Sequence, residues 1–162
     1  MRISLVLALS VCFFLSSRAG GFDPPFQKAI NDSIVNFSRQ HLGIKYKWAQ
    51  SSPANGFDCS GFVYYVFRHF NIDVPRASMD YEKAGRIIPV DSCRPGDIIV
   101  FTGTNASIRR PGHVGIILSA PGEDVQFIHS SSGQKRNGVI ISSFSESPAY
   151  RKRFIKIVRP NL

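Results

Sequence analysis

Between Phe26 and Phe70 the apolar residues keep helical spacing, and from Gly85 onward they keep the spacing of strands. That change of texture limits what the chain can fold into. Phe26, Ile30, Ile34 and Phe37 recur at i, i+4, i+8 and i+11, predicting an amphipathic helix that ends near Gly43. Phe62, Val66 and Phe70 predict a second helix from Cys59 to about Phe70, with a short extended segment, Ile44 to Trp48, before it. Val74-Pro75-Arg76-Ala77-Ser78 breaks that helix, and a short one from Met79 to Ala84 follows. The β-rich runs are Ile87 to Val90, Asp97 to Thr102, His113 to Leu118, Val125 to Ser130, Gly138 to Ser142 and Arg153 to Val158. Pro95-Gly96, Pro111-Gly112, Pro121-Gly122 and Ser132-Gly133 punctuate them. Helices first and strands afterwards predict an α+β fold, its N-terminal helices packed on a mostly antiparallel sheet of about five or six strands.

Met1 to Ala19 has the form of an export signal. Arg2 is its charged start, Ile3 to Leu15 its apolar run, and Ser17-Arg18-Ala19 offers small residues for cleavage. The apolar run is too short to span a bilayer. Cys12 lies inside it after Val11, a poor context for lipidation. Residues 20–162 then form a single domain, with no repeat, linker or low-complexity tract. Losing Arg2 and Arg18 leaves 18 basic against 11 acidic residues, a charge of +7. A basic exported chain suits an anionic surface such as cell wall, with peripheral contact, and no nucleic-acid motif is present. It is expected to be a monomer.

Phe57-Asp58-Cys59-Ser60-Gly61-Phe62-Val63 stands where a polar loop turns into a helix. Asp58 is a preferred N-cap, which makes Cys59 the first helical residue. Free backbone N–H groups and the helix dipole there favour thiolate, the nucleophilic form. The same N–H groups suit an oxyanion formed when the sulfur attacks a carbonyl. Export permits a disulfide between Cys59 and Cys93, but Cys93 precedes the turn Arg94-Pro95-Gly96-Asp97 and reads as structural.

Strand alternation puts His113, Gly115 and Ile117 on one face and Val114, Ile116 and Leu118 on the other. Gly115 leaves room beside His113 for a close approach. Val125, Phe127 and His129 share a face of the next strand, so His129 can lie beside His113. A thiol, a base and a group orienting the base are the parts of cysteine catalysis. His41 and His69 read as surface or helix-end residues. Neither C-x-x-C nor H-x-x-x-H occurs, so no metal is expected.

Six segments stand in an order that resembles the NlpC-type cell-wall cysteine peptidases. They are Tyr46-Lys47-Trp48, the Phe57 to Val63 stretch, Pro75-Arg76-Ala77-Ser78, Pro95 to Phe101, Gly112-His113-Val114-Gly115-Ile116 and Phe127-Ile128-His129-Ser130-Ser131. The resemblance runs from about residue 28 to the C-terminus. It implies a compact papain-like fold, with Cys59 as nucleophile, His113 as general base and His129 as the residue orienting it. It further implies Tyr46 at the oxyanion or substrate, and Asp58, Ser60 and Ser78 as substrate contacts. The implied substrates are peptidoglycan stem peptides or muropeptides, cut between D-γ-glutamate and diaminopimelate or, in some relatives, at D-alanyl-diaminopimelate crosslinks, without cofactor. Two departures bear on specificity. Ala49-Gln50 replaces a pair of glycines, and the basic insertion Gly103 to Pro111 reads equally as a lip for substrate carboxylates or as a solvated loop.

Overall fold

A computed structural model describes residues 24–161; the expected export signal and Cys12 lie outside the described residues. Helix α1, Pro24–Arg39, carries the predicted 26/30/34/37 stripe, and three turn residues lead from it to Gly43. Two-residue strands β1, Ser51–Ser52, and β2, Gly56–Phe57, close a small hairpin that the sequence reading did not anticipate. Ile44 to Trp48, expected to be extended, forms no strand and instead bridges Tyr46 to Phe57 in parallel. Helix α2 is Cys59–His69, and the short helix expected after it is a 3-10 turn, Ser78–Glu82.

The strands follow in chain order: β3, Arg86–Ile88; β4, Ile98–Thr102; β5, Pro111–Ile117; β6, Gln126–Ser132; β7, Asn137–Ser143. A short helix α3, Pro148–Arg153, precedes β8, Phe154–Arg159. The six strands β3 to β8 make one sheet in the order β3-β8-β4-β5-β6-β7, antiparallel at each pairing.

Alternation along the central strands builds a core on each face of this sheet. Phe62, Val63, Val66 and Phe67 of α2 pack with Val100, Val114, Ile116 and Ile128. On the other face Ile99, Phe101, Ile117, Phe127 and Ile157 gather around Cys93 and Tyr150. Each such side chain, fully buried, contributes about 1.5–3 kcal/mol. Cys93 is free and buried in this second core, where burial, then Asp97, pushes its thiol up to about 11. That environment suits the structural reading. Asp97, buried at the head of β4, accepts from Arg159 Nε at 2.7 Å and Nη2 at 2.8 Å, fastening β8 beside β4.

Candidate active site

The N-terminus of α2 ends in a cleft of about 840 Å³. Asp58 caps the helix as the sequence predicts: its Oδ1 accepts from Gly61 N at 2.6 Å. Gly61 has no substitute here, since a Cβ would overlap the Gln50 carbonyl oxygen. That closeness lets Gln50 accept from Asp58 N at 2.9 Å, wrapping residues 44–50 around the cysteine loop. Ser130 Oγ in β6 donates to the Phe57 carbonyl at 2.8 Å, tying the loop to the sheet.

Cys59 Sγ lies over the start of β5. It approaches the Gly112 carbonyl at 4.0 Å, and the Val114 N–H is directed at it. His113 sits between those two residues and lines the same cleft. The thiol departs from the sequence expectation in one respect. Backbone N–H groups of Cys59, Ser60 and Val114 do favour thiolate, but burial and then the Asp58 carboxylate outweigh them and push the thiol up. The resting sulfur is therefore held as thiol.

His113 Nε2 lies 3.0 Å from His129 Nδ1, with the rings 87° apart. His129 is fully buried, and burial, then Arg153, pushes its ring down to about 3. Burial, then His129 and Arg153, holds His113 well below the ordinary imidazole value. Both rings are neutral near pH 7. With Nε2 occupied by His129, the nitrogen of His113 left for the cleft is Nδ1.

Several partners of this pair were not anticipated from sequence. Ser142 Oγ of β7 lies 3.0 Å from His129 Nε2, and Tyr150 OH lies 3.5 Å from the same nitrogen. Tyr150 comes from α3 and stacks on His113 at 5.9 Å and 21°. Phe101 and Phe127 complete the apolar wall. A serine within the apolar run of β7 was the available signal for Ser142, which is diagonal to His129 across the β6–β7 pair.

Tyr46 lines the cleft, and partial burial followed by Cys59 and Asp58 raises its phenol. Ser60 and Ser78 also line it. Asp58 lines it too, and its two oxygens accept from Arg76 Nη1 at 3.0 Å and Nη2 at 2.9 Å, while Ser60 Oγ donates to Oδ1 at 3.2 Å. Arg76, quoted above only as part of a motif, is thus the residue that neutralises the carboxylate beside the thiol. Ala49 adopts φ 61°, so the loop keeps a glycine-like conformation without glycine, at about 1–2 kcal/mol. His69 closes α2, exposed, whereas His41 is buried among Phe37, Phe57, Phe62 and Tyr65 with Nδ1 on the Phe37 carbonyl. Neither lines the cleft. Among the described residues no cluster of His, Cys, Asp and Glu could hold a metal.

Known proteins resemble this chain over most of its length. It is 28% identical over 158 residues to the gamma-DL-glutamyl hydrolase of Bacillus subtilis strain 168, covering 93% of this chain and 35% of that protein. It is 34% identical over 126 residues to the murein DD-endopeptidase MepS/murein LD-carboxypeptidase of Escherichia coli strain K12, covering 77% and 60%. The chain thus spans roughly a third to three-fifths of these relatives' own lengths. A crystal structure of an NlpC/P60 family protein from Bacillus cereus ATCC 10987 superposes with TM-score 0.69 at 28% identity, over 80% of this chain and 39% of that one. The papain-like α+β fold is accordingly the observed one. The model of the NlpC/P60 family matches residues 43–159, from the cysteine loop through both histidine strands to β8, and the chain belongs to that family.

Proposed function

We propose that this chain is an exported peptidoglycan hydrolase that cleaves stem peptides at the D-γ-glutamyl–diaminopimelate bond through a thioester. The observation that carries the reading is the pairing of His113 Nε2 with His129 Nδ1, which turns Nδ1 toward the cleft that Cys59 enters. Thiol and imidazole are both neutral at rest, so His113 takes the thiol proton as the sulfur attacks the amide carbon. Backbone N–H groups near Cys59, with the Tyr46 hydroxyl, hold the oxyanion. His113 then gives its proton to the leaving amine. Water, deprotonated by His113, hydrolyses the thioester and returns the thiol. Asp58, Ser60 and Ser78 line the cleft where substrate polar groups would meet them, and Asp58 also caps the helix and holds Arg76. The step needs no cofactor. Export follows from the signal-like residues 1–19, and the chain acts as a monomer in the cell envelope.

A second reading is favoured by the 34% identity to a relative named a murein DD-endopeptidase: cleavage of D-alanyl-diaminopimelate crosslinks by the same residues. Digestion of purified diaminopimelate-type peptidoglycan with wild type and Cys59→Ala, read by mass spectrometry, separates the two. Fragments ending at D-γ-glutamate, absent with the variant, support the first. Loss of crosslinked dimers without those fragments supports the second. Release of neither product under reducing conditions overturns both.

A further inference from the structure

Three arginines line the cleft, Arg76, Arg110 and Arg153, with Asp58 the one acidic residue among its lining. Asp58 is taken by Arg76, and none of the ion pairs among the described residues includes Arg110 or Arg153. Arg153 is the more enclosed of the two. Its Nε and Nη2 donate to the Thr102 carbonyl at 3.3 and 2.8 Å, and it sits 5.5 Å from the centroid of the Tyr150 ring. A carbonyl and an aromatic face orient this guanidinium but leave its charge without an anion.

The basic insertion brings the second cation to the same place. Arg109 donates from Nη1 to the Lys152 carbonyl at 3.3 Å and from Nη2 to the Phe154 carbonyl at 2.6 Å. Those carbonyls flank Arg153 in the chain. Arg109 therefore staples the segment onto the stretch that carries Arg153. The next residue, Arg110, is held by its backbone N–H on the Ile108 carbonyl at 2.8 Å, with its side chain exposed at the cleft.

We propose that Arg110 and Arg153 form a subsite for a carboxylate on the leaving side of the substrate, the one that diaminopimelate has and lysine lacks. The proposal rests on the hydrolase reading above. Arg153 sits against the Tyr150 ring, which stacks on His113 and reaches His129, so it lies on the histidine side of the cleft. Burial first, and its charge after that, hold both imidazoles down. His113 is the group that protonates the departing amine, which puts the departing residue toward Arg153. A diaminopimelate leaving group brings a free carboxylate to that side and forms charge-assisted bonds to two unpaired guanidiniums. Its negative charge also offsets the field that disfavours imidazolium, so His113 becomes a better base as substrate binds.

The test uses matched stem peptides carrying diaminopimelate, its carboxamide or lysine, with wild type, Arg110→Gln and Arg153→Gln. Wild type should favour the free carboxylate by about tenfold to hundredfold in kcat/KM, and each substitution should bring the three substrates within about threefold. Arg110→Gln breaks no side-chain hydrogen bond or ion pair among the described residues, so it stays informative even where Arg153→Gln weakens the fold through Thr102. Calorimetric binding of the same peptides to Cys59→Ala reads the subsite without hydrolysis. Equal affinity for all three overturns the subsite, as does a uniform loss on all three substrates in both arginine variants. Failure of wild type to cleave, with selective binding kept by Cys59→Ala, counts against the hydrolase reading and for the subsite.

Discussion

His113 Nε2 and His129 Nδ1 lie 3.0 Å apart on neighbouring strands, and the second ring is the one with no solvent contact. His129 thereby sets the direction of His113 as a neutral acceptor, since its ring stays uncharged down to about 3. His129→Ala is expected to lower kcat on peptidoglycan by about a hundredfold or more. His129→Asn, whose side-chain oxygen stands near the Nδ1 position, should recover a measurable part. Equal losses in the two variants would argue that His129 serves the fold and not the base.

In the proposed reaction Ser142 sets which nitrogen of His129 carries the proton. His113 can accept the thiol proton at Nδ1 only while its Nε2–H donates to His129 Nδ1, and then His129 Nε2–H must donate outward. Ser142 Oγ, 3.0 Å away, is the acceptor placed for it. Ser142→Ala should reduce kcat about tenfold with little change in KM and cost about 1–3 kcal/mol for a buried unpaired N–H. Ser142→Thr keeps the oxygen and should restore kcat. A Thr variant as impaired as Ala would remove the tautomer role.

Acid should unfold the chain through these same rings. Both histidines titrate near 6.5 when unfolded, yet His129 takes its proton only at about 3 in the fold and His113 well below 6.5. The unfolded state therefore binds more protons in that window, and stability is lost as pH falls from 6.5. The loss is about 1.4 kcal/mol per pH unit for each histidine. Denaturant titrations from pH 7 to 4 should show that slope, reduced by up to one proton in His129→Asn. A variant slope equal to that of wild type would refute the assignment.

The histidine pair was legible because it depends on strand alternation: 113, 115 and 117 against 125, 127 and 129 survives any shift of strand ends. The cap of α2 was legible because Asp58 and Gly61 are three residues apart and their bond is local. What escaped the reading depends on distant chain. Helix α3 is one short polar run, Pro148–Arg153, held through Tyr150 on Phe101 and His113. The thiol's direction escaped as well, because sequence displays a helix terminus but neither the burial of the sulfur nor how close a charge lies to it. From sequence Arg109 belongs equally to a lip for substrate carboxylates or to a solvated loop, because its carbonyl partners lie more than forty positions away.

Asp58 and Arg76 should tune the thiol in opposite directions. After burial, the Asp58 carboxylate is the next cause pushing Cys59 up, and Arg76 covers that charge through two bonds. Asp58→Asn keeps the capping oxygen and should move the pH midpoint of Cys59 alkylation down; Arg76→Ala should move it up. The Arg76 side chain is 37% exposed, so solvent screens the pair and Arg76→Ala should cost only about 1–2 kcal/mol. Site-resolved mass spectrometry separates Cys59 from Cys93. Shifts of the same sign in both variants would rule out a simple charge effect.

Gly115 is the contact that lets the two histidine strands approach. A Cβ there would stand 2.9 Å from the Phe127 ring, 3.0 Å from the Ile128 carbonyl oxygen and 3.1 Å from His129 Cβ. The ring can turn aside, but the carbonyl belongs to the backbone of β6 and can yield only if the strand moves. A few tenths of an ångström there lengthen the 3.0 Å bond between His113 and His129. Gly115→Ala should therefore cost about 1–3 kcal/mol by overpacking. It should also lower kcat in protein that denaturant curves show to be fully folded, because the strain falls on the pair that aims the base. Full kcat in a folded but destabilised Gly115→Ala protein would mean that the distance between the two rings does not limit the reaction.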